Sequence, residues 1–286
     1  MPEPPAALVT GASTGIGRAC ALYLDRKGWK VFAGVRRAED GERLRARATA
    51  PLEAVILDVT SEESIIAAAA AIEASRGDAG LQGLVNNAGI AVVSPIEYLA
   101  AEDLRHQLEV NVTGQVAVTR ALTPALRTGQ GRIANMSSIS GRMALPLLGP
   151  YAASKFALEA ISDALRVELA PQGIRVAVIE PGAVRTPIWD KGIARADEVR
   201  ATLPPEAFEQ YGEAIERLEA AARHAAKSGV PPGRVAKAVY HALSSRWPKA
   251  RYLVGRDARI GALAARFLPD RALDMAKSVR LGLRQQ

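Results

Sequence analysis

Cysteine and histidine are scarce in this sequence. Its 286 residues include one cysteine, Cys20, and three histidines. A single cysteine excludes an internal disulfide, and histidines that are far apart in the chain do not match the spacing of a metal site. We therefore expect no metal ion. Cys20 is interpreted as a small core residue of the first helix, and three residues are interpreted as ordinary helix or surface histidines: His106, His224 and His241.

Long hydrophobic runs are also missing. No window reaches the roughly 18 consecutive apolar residues from which a membrane-spanning helix is predicted. The first residues, MPEPPAALVTG, contain neither a basic segment nor a long apolar stretch, so we recognise no secretory signal. These absences predict a soluble protein of the cytoplasm.

Most of the chain lacks an excess of either charge. The net charge is +7, and from Arg246 onward there are ten lysines or arginines against three aspartates, which accounts for the whole excess. The remainder of the chain is balanced. A nucleic acid is therefore not an expected partner of the body of the protein.

The sequence does contain a regular alternation of short apolar runs with helical patterns. About half of its residues are apolar (49%), and no linker interrupts it, so we predict one domain over residues 1–286. Nearly continuous hydrophobicity is typical of parallel strands that are covered on both faces. Seven runs are strand candidates: AALVT, KVFAGV, EAVILDV, GLVNNA, GRIANMSS, IRVAVIEP and RYLVG.

Two helices have recognisable boundaries. Thr60 and Glu63 match a capping box that opens an alanine-rich helix. A second helix is predicted from Ile16 to Lys27, with Gly28 as its stop signal.

The run TGASTGIG follows the first predicted strand and contains Gly11, Gly15 and Gly17. Glycines at such a turn let the backbone approach a pyrophosphate, whose charge is stabilised by the amino end of the following helix. A plain strand-to-helix loop is the alternative interpretation of this run.

Tyr151 and Lys155 lie four residues apart on a predicted helix and therefore on one face of it. A tyrosine with a pKa near 10 exchanges protons poorly at pH 7 unless a nearby positive charge favours its phenolate. Lowering that pKa by about three units needs roughly 4 kcal/mol, which a close ammonium and a cationic nicotinamide could provide. An exposed tyrosine beside a solvated lysine is the alternative.

Taken together, five features resemble the short-chain dehydrogenase/reductase family over roughly residues 6–190, and in particular its retinol and hydroxysteroid dehydrogenase branch. They are Ser138, the YxxxK helix, TGASTGIG, the NNAG run that begins at Asn86, and Asn111. The resemblance implies a Rossmann-type doubly wound α/β fold with a seven-stranded parallel sheet and helices on both faces. It also implies a helical substrate lid at about residues 188–229 and a helical tail at about residues 256–286.

The resemblance assigns a role to each catalytic position. Tyr151 exchanges the proton, Lys155 lowers the tyrosine pKa and binds the nicotinamide ribose, and Ser138 binds the substrate oxygen. Asn111 disturbs its helix and holds a water of the proton relay. Ser137 and Ser140 are competing serines, and the family spacing to the tyrosine selects Ser138.

The resemblance also implies a set of cofactor-binding residues. Asp58 would contact the adenine, the NNAG run would line the ribose while Asn86 ties strands together, and Thr186 with the backbone near Val184 would bind the carboxamide. The full set is Gly11, Ser13, Thr14, Gly15, Ile16, Gly17, Arg36, Arg37, Asp58, Val59, Asn87, Ala88, Gly89, Tyr151, Lys155, Pro181, Gly182, Val184 and Thr186.

An acidic residue is missing where NAD-binding chains carry one. At the end of the second strand a carboxylate would bind the adenosine ribose, but this sequence has Val35 followed by Arg36 and Arg37. Guanidinium groups suit a 2′-phosphate in charge and geometry. We therefore predict NADP(H). The alternative is NAD(H), with both arginines solvated and no carboxylate at this position. Glu39 and Asp40 lie too far along the chain to be the first choice, although a loop could bring one of them back.

The expected activity is interconversion of a carbonyl and an alcohol by hydride transfer on a small hydrophobic substrate. The apolar helical spacing after Pro205 is typical of a hydrophobic lid, which would imply such a substrate, and an ordinary packing helix is the alternative. Alternatives are an NAD-dependent alcohol or hydroxysteroid dehydrogenase and a non-catalytic dinucleotide sensor. The family also implies a homodimer or homotetramer. The basic amphipathic tail predicts packing on the lid or on a second subunit rather than on a membrane.

Overall fold

A parallel sheet of seven strands forms the centre of the molecule. The computed structural model describes residues 3–50, 52–187 and 204–283. The seven strands are parallel, as predicted, and their order is β3-β2-β1-β4-β5-β6-β7. The order reverses between β1 and β4 and opens a crevice at the carboxyl ends of those strands. The strands are β1 Ala6–Val9, β2 Lys30–Val35, β3 Glu53–Ile56, β4 Gly83–Asn86, β5 Arg132–Met136, β6 Arg175–Pro181 and β7 Arg251–Val254.

Helices cover the sheet and extend beyond it. They are α1 Gly15–Asp25, α2 Ala38–Arg45, α3 Glu62–Arg76, α4 Ala101–Leu108, α5 Gly114–Thr128, α6 Gly149–Leu169, α7 Pro205–Ser228, α8 Pro232–Ser244, α9 Arg256–Phe267 and α10 Asp270–Leu281. A π-helical turn, Glu109–Thr113, joins α4 to α5. None of the helices in the described ranges is long and apolar enough to cross a bilayer.

Both faces of the sheet are buried. Along β1, Ala7 and Val9 pack on the face covered by α1 and α8, while Leu8 packs on the face covered by α3 and α5. This two-sided burial explains why the strands are hydrophobic without interruption. Cys20 lies in the first of these cores, as predicted, and burial raises the pKa of its thiol to about 12.

Two helix boundaries differ from the sequence-based prediction. Helix α3 is capped by Ser61, whose hydroxyl accepts a hydrogen bond from Ser64 N at 3.1 Å, so the predicted Thr60 capping box is wrong. Thr60 instead donates its hydroxyl to Asp58 Oδ1 at 2.7 Å. Helix α1 spans Gly15–Asp25 and ends before Lys27, because the chain turns through Gly28 at φ +79°.

The lid and tail pack on each other. Leu281 of α10 lies in a small buried cluster with Ala214 and Ile215 of α7 and with Leu147. The predicted contact between tail and lid is therefore present. Residues 188–203 of the predicted lid lie outside the described ranges, as do residues 284–286 of the predicted tail.

Candidate active site

A cavity of about 1230 Å³ opens at the carboxyl ends of the strands. It is lined by nearly all of the predicted site residues, from Ser13 in the first turn to Thr186 beyond β6. Two predicted residues, Gly17 and Asn111, do not line the cavity.

The first wall is the glycine turn, residues 10–17. Gly11 and Gly15 have φ of +61° and +55°, which favour glycine, and a Cβ on Gly17 would lie 2.2 Å from Gly11 O. The backbone here leaves an open cradle at the start of α1, whose free amides suit a pyrophosphate. The residues therefore fit the phosphates of a dinucleotide.

The second wall is the NNAG run, which is tied to the glycine turn. Thr10 Oγ1 accepts hydrogen bonds from the N–H groups of Asn87 and Ala88, both at 2.9 Å. Asn86 donates its side-chain amide to Asn135 on β5 at 2.9 Å and so joins neighbouring strands. These contacts hold the glycine turn, the NNAG run and β5 in fixed positions around the crevice.

The end of β2 carries the cations that the sequence predicts. Val35 is buried, whereas Arg36 and Arg37 are exposed on the cavity wall, and neither forms an ion pair with another described residue. Asp40 faces Arg43 instead, at 3.5 Å. Position 35 thus offers no carboxylate to the cavity, and two guanidinium groups follow it on a wall that Asp40 also lines. The two guanidinium groups fit a 2′-phosphate.

Asp58 lies on the same wall. Burial acts to raise its pKa, but hydrogen bonds from Thr60 and the charge of Arg36 together hold the pKa below its usual value. The carboxyl is therefore ionised and available as an acceptor at neutral pH.

Ser138, Tyr151 and Lys155 meet at the floor of the cavity. A hydrogen bond joins the Ser138 and Tyr151 hydroxyls, and Ser138 Oγ also accepts from Ser140 N at 3.1 Å. Lys155 Nζ lies 5.6 Å from the centroid of the Tyr151 ring and donates to Met136 O at 2.8 Å. The fold therefore brings the predicted phenol, amine and serine together.

The pKa values differ from the sequence-based expectation. Burial raises the pKa of Tyr151, which the hydrogen bond with Ser138 only partly offsets. Burial also lowers the pKa of Lys155 to about 8, against the opposing charge of Glu159. With both groups withdrawn from water and the amine held by a carbonyl, the phenol stays protonated. The predicted lowering of the tyrosine pKa by the lysine is not seen here.

Asn111 lies in the π-helical turn, which agrees with its expected disturbance of the helix. Its Oδ1 accepts from Ile90 N at 2.9 Å, and its Nδ2 donates to Ser154 Oγ at 3.0 Å. Ser154 in turn donates to Tyr151 O at 2.7 Å. The Asn111 side chain thus joins the loop after β4 to the helix that carries the tyrosine.

The loop after β6 forms the remaining wall on the cofactor side. Val184 forms a bridge with Val230, and Thr186 lies next to Gly15 of the glycine turn. Asp257 of α9 accepts from Ala183 N at 2.5 Å. Its carboxylate fills the space over Gly182, where a Cβ would lie 2.1 Å from Asp257 Oδ2.

The opposite part of the cavity is largely apolar, although Glu219 and His224 of the lid helix also line the cavity. Its walls come from the loop before α6 and from the lid helix α7, and they carry Leu145, Leu148, Ile215, Leu218 and Ala222.

Sequence reasoning missed a buried group of charges beneath the catalytic helix. Glu180 is fully buried and pairs with Arg142 at 2.8 Å and with Arg251 at 3.3 Å. Arg251 also binds Glu159, one helical turn beyond Lys155, at 3.0 Å. The i+4 spacing of Glu159 from Lys155 was the one available signal, because the other partners are distant in sequence.

Three further lining residues were also missed. His106 and His224, interpreted as ordinary helix or surface residues, both line the cavity, as does Asp257. No spacing rule connects them to the motifs, because α4, α7 and α9 reach the cavity only through the tertiary fold.

A profile of the short chain dehydrogenase family matches residues 5–196, well over half of the chain. This chain belongs to the short-chain dehydrogenase/reductase family. The predicted family and the oxidoreductase class are therefore confirmed.

Relatives of this dehydrogenase span nearly all of it. Retinol dehydrogenase 5 of Mus musculus is 38% identical over 272 residues, covering 93% of this chain and 85% of that protein. The NADPH-dependent 3-dehydrocapnine reductase of Ornithobacterium rhinotracheale is 37% identical over 273 residues, covering 94% of both. The chain therefore resembles the retinol dehydrogenase branch.

Solved structures of the family share the fold. A short-chain dehydrogenase from Streptomyces avermitilis superposes with a TM-score of 0.79 at 30% identity, with both chains covered in full. One from Burkholderia cenocepacia, solved in complex with NADP, has a TM-score of 0.70 at 29% identity over 98% of each chain. The predicted Rossmann-type parallel fold is confirmed.

Proposed function

We propose that this dehydrogenase reduces a carbonyl group of a hydrophobic substrate with NADPH, and catalyses the reverse oxidation of the alcohol. The observation that carries the proposal is the Tyr151 hydroxyl, hydrogen-bonded to Ser138 beside Lys155, at the junction of the glycine-lined and apolar parts of one cavity. When bound, the reduced nicotinamide supplies the hydride.

The residues at the floor would handle the proton. Tyr151, protonated because burial raises its pKa, donates its proton to the substrate oxygen as negative charge develops there. Ser138 hydrogen-bonds the same oxygen and orients it. Lys155, whose pKa is lowered to about 8, carries a proton that is available to restore the tyrosine. Asn111 and Ser154 hold the helix of the tyrosine in place.

NADPH is preferred in this proposal because of the end of β2. Arg36 and Arg37 are free to bind a 2′-phosphate, and Val35 replaces the carboxylate that would bind an unmodified ribose. A relative named as NADPH-dependent and a solved relative with NADP support the same choice.

The choice of cofactor is tested at those positions. The double variant Val35→Asp/Arg36→Ala should shift the ratio of kcat/KM values from NADPH toward NADH by at least about tenfold. The variant removes one cation and adds a carboxylate that repels the 2′-phosphate. Steady-state kinetics with both cofactors measures the ratio. The single variant Arg43→Ala, which lies further along α2, serves as the control, and an unchanged ratio would contradict the proposal.

Removal of the tyrosine hydroxyl tests the catalytic proposal. Tyr151→Phe should bind NADPH as the parent protein does but lose about a thousandfold or more in kcat, because the proton donor is gone. Binding is followed by nicotinamide fluorescence and turnover by absorbance, with ketones, retinoids, steroids and aliphatic aldehydes as substrates. Turnover near the parent rate would remove Tyr151 from its assigned role.

We also propose an assembly and a location for this protein. The chain works as one domain, as a cytoplasmic homodimer or homotetramer whose subunit contact lies on α5 and α6. Val116 and Phe156 on those helices are apolar and exposed, which favours a partner there. Light scattering of the Phe156→Asp variant should show dissociation.

A further inference from the structure

Glu159 is a buried acid that the catalytic proposal does not use. It is 8% exposed and lies one helical turn beyond Lys155 on α6. Side chains on a helix lean toward its amino end, so the Glu159 carboxylate lies over the turn that carries the catalytic amine. Arg251 of β7 donates to Glu159 Oε2 at 3.0 Å, which fixes one side of the carboxylate.

The other side of this carboxylate is buried beside a serine. Among the described residues, neither Glu159 Oε1 nor Ser137 Oγ has a hydrogen-bond partner of ordinary geometry. Both side chains lie next to Gly141, where a Cβ would be 2.8 Å from Ser137 Oγ, 3.1 Å from Glu159 Cγ and 3.1 Å from Lys155 O. A buried carboxylate oxygen without such a partner is costly, which indicates a role beyond the ion pair with the arginine.

The amine of Lys155 depends on nearby charge to keep its proton. Its Nζ donates to Met136 O at 2.8 Å, directly before Ser137 in the chain. Burial lowers the pKa of Lys155 to about 8, although the charge of Glu159 acts to raise it. Since this pKa is close to neutral pH, a small loss of negative charge nearby would leave much of the amine neutral. The proposed return of a proton to Tyr151 requires the charged form.

We propose that Glu159 is a positioning residue for the reaction, whose carboxylate keeps the Lys155 amine charged. Glu159 does not line the cavity, so it acts through the lysine and touches neither cofactor nor substrate. No bond forms or breaks at its carboxylate. The proposal deepens the catalytic function proposed above and rests on it for the role of Lys155.

The state of Glu159 depends in turn on its surroundings. Four further charged groups belong to the same buried network, from β6, β7, α6 itself and the turn after β5: Glu180, Arg251, Asp163 and Arg142. Burial raises the pKa of Glu159, and the nearby Ser137 hydroxyl and the Arg251 guanidinium act against it. An arginine keeps its charge at any pH at which proteins are studied, so Arg251 favours the ionised carboxylate throughout.

The pH dependence of kcat for carbonyl reduction tests this role. In the parent protein the basic limb of the profile should lie near pH 8, where Lys155 loses its proton. Glu159→Gln removes the charge at nearly constant size, so the limb should move to lower pH by about one unit. Glu159→Ala is a second neutral variant and should move the limb in the same direction. Glu159→Asp keeps the charge and should hold the limb closer to its parent position.

Asp163→Asn is the matched control. Asp163 accepts from the same Arg251 at 2.7 Å but lies two helical turns beyond Lys155. This variant removes a carboxylate from the arginine, as Glu159→Gln does, so a purely structural role would affect both variants alike. Its basic limb should stay at the parent position. Thermal melting and NADPH binding establish that each variant is folded.

A second measurement does not use turnover. In urea denaturation at several pH values, the difference in stability between a protein and its Lys155→Met variant reports the pKa of the folded amine. In the Glu159→Gln background this pKa should be lower than in the parent by about one unit. A protein that reduces no carbonyl still gives this result, so a failure of the catalytic proposal is distinguished from a failure of this one.

Three results would overturn the proposal. One is a basic limb and a folded pKa of Lys155 that stay in place in both neutral variants of Glu159. Another is an equal shift in Asp163→Asn, which would assign the effect to the arginine. The third is a shift in Glu159→Asp as large as that in Glu159→Gln, because the charge would then not be the cause.

Discussion

The two ends of the cavity are built by different means. At the glycine turn, partly buried hydrogen bonds between backbone and side chain, such as those from Asn87 N and Ala88 N to Thr10 Oγ1, hold the wall in place. At the lid, α7 is held to the turn at residues 96–98 by exposed polar contacts, including Tyr211 to Glu97 at 2.5 Å. A wall made by the backbone tolerates little change, whereas a wall made by side chains on a helix can vary with the substrate.

Removal of a buried acid near the catalytic helix is the strongest test of this contrast between the two regions. Glu180→Ala leaves Arg142 without its partner and Arg251 with one partner fewer beneath the catalytic helix. We expect the free energy of unfolding to fall by about 2 kcal/mol, because the charge-assisted hydrogen bonds to the half-buried Arg142 are lost.

The control for Glu180 lies on the lid. Glu213 pairs with Arg217 at 2.6 Å on the surface of α7, and Glu213→Ala should cost a few tenths of a kcal/mol. Urea denaturation measures both variants. Equal losses would show that the two regions are equally tolerant.

The pH dependence of stability should also distinguish the floor of the cavity from the lid. The pKa of Lys155 is about 8 when folded, against 10.5 for an ordinary lysine. The unfolded chain therefore binds more protons between these pH values. The free-energy cost of burying the charged Lys155 amine is fully present below pH 8 and is lost as the pH rises to about 10.5. Relative to Lys155→Met, the parent protein should gain up to about 3 kcal/mol over that window.

Urea denaturation of both proteins at several pH values, without dinucleotide, measures this gain. A variant of an exposed lysine, Lys227→Met on the lid, should show no comparable change relative to the parent. A flat difference for Lys155→Met would indicate that its amine is hydrated.

Two glycines give the finest test of the comparison. Gly17→Ala places a Cβ against Gly11 O and should cost about 2 kcal/mol and weaken NADPH binding. Gly212→Ala on α7 meets no atom within 4 Å and should add about 0.5 to 1 kcal/mol, because alanine favours a helix. Thermal melting of both variants measures the changes. Opposite signs are expected, and matching signs would contradict the contrast.

The cofactor side was predictable because its signals are local. The glycine turn, the NNAG run and the YxxxK spacing each lie within a few residues, and strand hydrophobicity places them at one edge of the sheet. Asn111 shows the limit of this reasoning, since sequence indicated a disturbed helix but not that its side chain contacts Ser154 rather than the cavity.

The remaining features depend on contacts that are distant in the chain. Thr60 and Ser61 are both plausible caps by sequence, and the choice of Ser61 follows from where Asp58 holds Thr60. The protonated state of Tyr151 depends on how deeply α6 packs, which spacing does not encode. The partners of Glu180 come from segments far from β6, so no local pattern could identify them.

The carboxylate of Asp257 connects the tail to the cofactor wall. It lies in the space left by two residues without side chains, Gly182 and Gly255, and holds Ala183 of the loop that leads to Thr186. A truncation after β7 would therefore do more than expose apolar surface, since it would also remove the hydrogen bond from Ala183 N to Asp257 that holds this loop. The tail and this side of the cavity are thus structurally coupled, and a tail grafted from a relative would need a matching residue at position 257.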